Sequence, residues 1–298
     1  MQKLSKDDFE RIESHSSLEK FRKRADGSLY TGKSLVVSEN YPPESHPIIT
    51  TLEKIMKVKH PCLPQCFGYF VLKNQGFDEI IVLLEYCEST LAEFLAKREL
   101  SSAELKGLLQ QIVEITMILD RDALVTPAYI TPYNILITTD MSGKLQFKLF
   151  GIIPYNEERM IPSEELRWTA PELFERQSYK KIHININPEK ALFYSIGILF
   201  IYAALKQFFI TEGRELYSSS EFPNSNPARE QASINECLQK LRVFGDGAYF
   251  EQVLSKFLTY NHQSRPDFRI WRLSGEGANT GANRVVTNSK QKVPVVKK

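Results

Sequence analysis

The feature that most constrains the fold is the run Ala191–Leu205, fifteen residues without a charge between Lys190 and Lys206. A helix that is apolar all round has no face to offer to water, so neighbours must cover it on every side. The run falls short of the ~20 residues that span a bilayer, so it reads as a buried core helix and no membrane segment is expected. Covering it takes a large helical layer, and 298 residues are enough for one large core or for two lobes.

That layer is legible on both sides of the run. Upstream, Ser101 and Glu104 form an S-x-x-E capping pattern. Behind it Leu105, Leu108, Leu109, Ile112, Ile115 and Leu119 recur with helical period. The run itself predicts a helix over Ala191–Phe209, and further helices are expected at Ile234–Val243 and Tyr249–Leu258. Before Tyr86 the pattern differs. Leu18–Asn40 alternates and turns at Gly27 and Gly32, and Leu35-Val36-Val37 suits a buried strand. Ile48–Lys57 has helical spacing, while Cys66–Leu72 and Ile80–Tyr86 read as two more strands. Two short strands, Ile135–Thr138 and Leu145–Leu149, flank the Met141-Ser142-Gly143 turn. The fold class is therefore α+β: strand-rich with one main helix first, largely helical afterwards.

Charge and cysteine content exclude several classes of function. The net charge of +2 gives no broad field for nucleic acid or membrane. Residues 274–298 are an exception, with Arg284, Lys290, Lys292, Lys297 and Lys298 against Glu276. They are Gly/Asn/Ser/Lys-rich and read as a disordered basic tail suited to an acidic polymer surface. No aromatic residue interleaves with these charges, which argues against nucleic acid. Cys62 and Cys66 have C-x3-C spacing without a second ligand pair, so buried free thiols are expected and zinc is not. Seven charged residues within Met1–Glu13 leave no signal segment, and the chain is expected to be cytoplasmic.

Ordered short matches then make the chain resemble the protein kinase superfamily. Leu84-Glu85-Tyr86-Cys87 resembles the hinge and His60-Pro61 the turn after the regulatory helix. Asn134-Ile135-Leu136 resembles the end of the catalytic loop, and Leu149-Phe150-Gly151 the metal-binding D-F-G turn. Ala170-Pro171-Glu172 resembles the A-P-E segment, Tyr194-Ser195-Ile196-Gly197 the start of the long helix of the second lobe, and Arg265-Pro266 the late R-P motif. The resemblance implies a bilobal protein-kinase-like fold, with a small β-rich N-lobe and a larger helical C-lobe. It implies an N-terminal extension at 1–17, the N-lobe at 18–87, the C-lobe at 88–273 and the tail at 274–298.

The same resemblance implies that the chemistry has been lost. With Gly27 as the third glycine of the phosphate loop, the first two fall on Arg22 and Arg24, whose side chains obstruct close backbone approach. The strand lysine falls on Ser38, with Lys33 five residues earlier, and its helix glutamate falls on Thr51. Aligned on Asn134, the catalytic Asp becomes Tyr129, and an unperturbed phenol titrates near ~10, far from a carboxylate base. Thr131 replaces the loop lysine, Leu149 the magnesium-binding Asp, and Leu192 the Asp that braces the loop. Asn134 is retained without its carboxylate partner, and hard cations need oxygen ligands. Loss of a general base is worth ~10²–10⁴ in rate and each charge-stabilising donor ~10²–10³, against a family turnover of ~1–100 per second. Phe150, Gly151 and a buried Glu172–Arg265 pair are retained as fold supports.

The implied function is that of a pseudokinase: no catalytic activity, cofactor or metal, and a role as a scaffold or structural subunit for protein partners, with cytoskeletal association through the tail. The alternative is a nucleotide-binding regulator, or an atypical kinase with a displaced acid such as Asp122, Asp140 or Glu39.

Overall fold

The computed structural model describes residues 1–13, 18–38, 47–73, 77–151, 163–173, 186–207 and 227–273. The tail 274–298, the stretch 152–162 and the end of the helix expected over 191–209 lie outside them.

Strands β1 (Phe9–Glu13), β2 (Glu19–Lys23), β3 (Leu29–Ser38), β4 (Cys66–Lys73) and β5 (Phe77–Glu85) form one antiparallel sheet in the order β1-β2-β3-β5-β4. Helix α1 (Pro47–Met56) connects β3 to β4. Alternation gives the sheet two apolar faces. On one, Leu18, Tyr69, Ile80, Val82 and Leu84 pack with Ile49 and Leu52 of α1. On the other lie Phe21, Phe70, Ile81 and Leu83. Gly32 makes this second face possible, because a Cβ there would stand 2.3 Å from the Phe21 ring.

The sheet begins earlier than the boundary at residue 18, since β1 falls within the stretch expected to be an extension. The Phe-Glu-Arg-Ile-Glu sequence is that of a polar edge strand, too charged to show clear alternation. Its anchor is Phe9, whose ring meets Tyr30 edge-on at 5.7 Å and stacks on Phe70 at 6.3 Å.

The second lobe follows β5. A three-stranded sheet, β6 (Ser89–Thr90), β7 (Ile135–Thr139) and β8 (Leu145–Leu149), faces α2 (Leu91–Lys97) and α3 (Ser102–Ile118). Both helices start with reciprocal capping boxes, Thr90 with Glu93 and Ser101 with Glu104. The apolar run forms α4 (Pro188–Leu205), and every residue from Ala191 to Ile201 is buried. Its length and hydropathy would also suit a membrane span, but the helices around it cover it. From α6 (Gly247–Phe257), Phe257 lies 4.5 Å from Phe193 and Phe250 4.8 Å from Phe200. Each such side chain stabilises the fold by ~1.5–3 kcal/mol when fully buried. Helices α5 (Pro227–Lys240) and α7 (Phe268–Leu273) complete the layer.

The lobes share their cores. Leu136 of β7 and Phe150 belong to the cluster beneath the first sheet, while Ile55, Cys62 and Leu63 belong to the helical core.

Candidate functional site

The cleft between the lobes is fixed by strand register. β5 ends at Glu85, and the chain then crosses between lobes through Tyr86 and Cys87. Thr31 clamps this crossing: its Oγ1 accepts from Cys87 N–H at 2.8 Å and donates to Cys87 O at 3.3 Å. Antiparallel pairing sets Tyr30 against Glu85, Lys33 against Val82 and Ser38 against Phe77. The crossing therefore lies beside the start of β3, and Ser38 lies at the far end.

This register corrects two assignments. Ser38 is not the residue at the strand-lysine position; Lys33 is, because it shares the face of Thr31 two residues on and points into the joint. Burial pushes its ammonium below the usual range, while the carboxylates of Glu93 and Glu165 oppose that shift. Gly27, with φ of 74°, makes the β2–β3 turn at the crossing end of the sheet, not a loop over the deep cleft. Arg22 and Arg24 beside it are exposed. Residues 14–17, between β1 and β2, lie outside the described set. They contain no glycine. Thr51 on α1 is half-buried and brings no charge toward Lys33.

The roof and floor of the cleft are both buried. Leu18 above, Leu136 below, and Thr31 and Cys87 at the crossing are each no more than 1% exposed. Leu18 and Leu136 share one buried apolar cluster, so a planar ring entering there would have to fit among packed side chains.

Deeper in, the catalytic-loop positions are tied to one another. Tyr129 is buried, and its phenol O–H donates to Glu165 in the 3₁₀ turn Ser163–Trp168. Thr131, also buried, donates its hydroxyl to Asn134 Oδ1 at 2.7 Å. Asn134 Nδ2 donates to Gly151 O at 3.1 Å, and Phe150 N–H donates to Asn134 O at 2.8 Å. Gly151 has φ of 71°, and a Cβ on it would lie 2.8 Å from Asn134 Nδ2, so glycine is required for that bond. Leu149 is buried in the core, and its N–H donates to Cys62 O at 2.8 Å.

The loop is braced in a way the sequence comparison with the family missed. Leu192 is a fully buried core residue, but the brace is present one turn along α4. Ser195 Oγ accepts from Ile130 N–H at 2.8 Å and donates to Ile130 O at 3.3 Å. Glu172 and Arg265 form a two-pronged pair at 2.7 and 3.0 Å. The remaining Arg265 donors reach Thr259 O, Tyr260 O and Lys190 O, and its guanidinium lies over Tyr194 at 4.5 Å. Lys33 could have been found by counting strand pairs back from the crossing; Glu165 and Ser195 carry no such local signal.

No group of three or more His, Cys, Asp and Glu suited to a metal occurs among the described residues. Burial pushes the Cys62 thiol up to about 12 and Cys66 up to about 11, away from the thiolate form that zinc requires.

No protein-family model matches the sequence, and no curated protein matches it. Solved structures do. A crystal structure of Rad53 1-466 in complex with AMP-PNP superposes with a TM-score of 0.61 at 15% identity. The match covers 88% of this chain and 63% of that one, so this chain spans less than two thirds of the solved chain's length. At that identity the likeness carries the fold alone. The curled five-stranded lobe, the helical lobe and this likeness together give the chain a protein-kinase-like bilobal fold.

Proposed function

We propose that this chain is a pseudokinase that works as a protein-binding scaffold or structural subunit, without phosphoryl transfer. The observation that carries the reading is the fate of the two metal positions. Leu149 supplies hydrocarbon to the core, and the Asn134 amide oxygen takes the Thr131 hydroxyl. Magnesium at such a site is held mainly by carboxylate oxygens together with substrate phosphates. The phenol of Tyr129 occupies the base position and is itself a donor to Glu165. The scaffold's partner is a protein, met in the cytoplasm, and the basic tail adds affinity for an acidic polymer such as a cytoskeletal filament. Deleting residues 274–298 tests the tail: salt-sensitive co-sedimentation that survives the deletion rules out that role.

One observation favours a second reading, a nucleotide-binding regulator. Lys33 keeps a basic side chain on the cleft face, where phosphates would need a cation. A thermal-shift titration with ATP, with and without magnesium, separates the two. The scaffold reading expects no shift at millimolar ATP. Stabilisation by several degrees that is lost in Lys33→Met establishes the regulator, and magnesium-dependent transfer of radiolabelled phosphate to a generic substrate overturns both.

A further inference from the structure

A cavity of about 520 Å³ opens on the other side of the joint, between the last turn of α1, the segment 57–66 and the end of β8. Its lining includes none of Leu18, Thr31, Lys33, Cys87, Tyr129, Asn134 and Leu136, and it meets the site described above only at Glu85 and at Leu149-Phe150-Gly151. Protein interiors leave few voids larger than a water molecule, whereas small-molecule sites occupy ~300–1,000 Å³. Its inner wall is apolar: Leu52, Ile55, Leu63 and Leu149 are all buried side chains.

One charge interrupts that wall. Lys148 lines the cavity with its side chain only 9% exposed, and its Nζ donates to Glu85 Oε1 at 2.7 Å. The same oxygen also accepts from Gln65 N–H at 2.8 Å. An ammonium carries three donors, and a buried one is stabilised when all are matched. The Glu85 bond uses one of them. Lys59 stands at the exposed mouth, so the ionised side chains around the cavity are two lysines and one glutamate. Burial holds His60 below its usual pKa against the pull of Glu114.

We propose that this cavity binds a small organic anion, with the apolar body against Leu52, Ile55, Leu63 and Leu149 and the anionic head on Lys148. The lining joins α1 to Leu149-Phe150-Gly151, so an occupant holds the regulatory-helix position against the turn that leaves β8.

The full chain is titrated with 1-anilinonaphthalene-8-sulfonate, an aromatic body carrying one sulfonate. Saturable fluorescence with one equivalent bound is expected, displaced by dodecanoate if the site prefers an alkyl body and by 1-naphthoate if it prefers a ring. Lys148→Met weakens the sulfonate probe by ~10-fold or more, the scale of a hydrogen bond to a charged group, and leaves uncharged N-phenyl-1-naphthylamine within about twofold. Met56→Trp, at the exposed rim, blocks both probes and carries the test if Lys148→Met does not fold, as judged by its melting curve. The proposal is overturned by absence of saturable binding, by displacement by neither acid, by an unaltered sulfonate affinity in folded Lys148→Met, or by undiminished binding in Met56→Trp.

Discussion

Ser195→Ala isolates the brace between α4 and the loop that carries Tyr129. The hydroxyl bridges both main-chain groups of Ile130, and Ser195 and Ile130 are each fully buried. Alanine fits the space, so the loss is polar. It strands the Ile130 N–H, which no water reaches, and removes the longer bond to Ile130 O. An unsatisfied buried donor costs ~1–3 kcal/mol, or roughly 2–4 °C in Tm for each kcal/mol in a domain of ~150–250 residues. The control is Thr116→Val in α3. The Thr116 hydroxyl is also fully buried, but it donates at 2.9 Å to Val113 O, a carbonyl that keeps its helical N–H partner after substitution. That change strands nothing and is expected to cost under ~1 kcal/mol. Urea unfolding of both variants, with amide hydrogen exchange read at Ile130, gives the comparison. Equal losses in the two variants, or unchanged exchange at Ile130, would refute the assignment of Ser195 as the brace.

Three further outcomes are expected. Glu172→Gln leaves Arg265 charged and 1% exposed, so it should destabilise by ~3–5 kcal/mol in urea titrations; adding Arg265→Met should restore some of that, and a second loss of similar size would contradict the pairing. Glu104, held down to about 2 chiefly by its hydrogen bonds to Arg98 and also by Ser101, stabilises the start of α3 only while ionised. A depressed carboxylate contributes above its unfolded pKa, so the gap between wild type and Glu104→Gln should be constant above pH ~5 and shrink as pH falls toward ~2. Burial pushes the Cys62 and Cys87 thiols to about 12, so neither should react with an aromatic disulfide reagent at pH 8 until denaturant is added.

What could be read from the sequence divides along the range of the interactions. The capping box at Ser101 and Glu104 was legible because both partners lie within one turn. The apolar run was legible as a helix that must be covered because it carries no charge on any face, and Glu172 with Arg265 because two recurrent motifs carry them across a long separation. Gly27 and Ser38 were misplaced for one shared reason. A glycine marks a turn but not which end of the sheet the turn occupies, and that is decided by pairing of β3 with β5, about fifty residues later. β1 was hidden by its charges, since Phe9 is held by the distant rings of Tyr30 and Phe70. Tyr129 with Glu165, and Ser195 with Ile130, are contacts between single polar groups far apart in the chain, and such pairs leave no periodic trace.

The shared cores have a consequence for how the molecule moves. An enzyme that admits and releases a ligand between two lobes needs a joint that opens at little cost, with polar or solvated surfaces facing each other when shut. Here Leu18 and Leu136 belong to one apolar cluster, and Ile55, Cys62 and Leu63 join the helical core on the other side. Separating them would expose apolar surface on both flanks at once, which opposes opening of the joint. A partner that grips both lobes would meet a joint lined with hydrocarbon on both flanks.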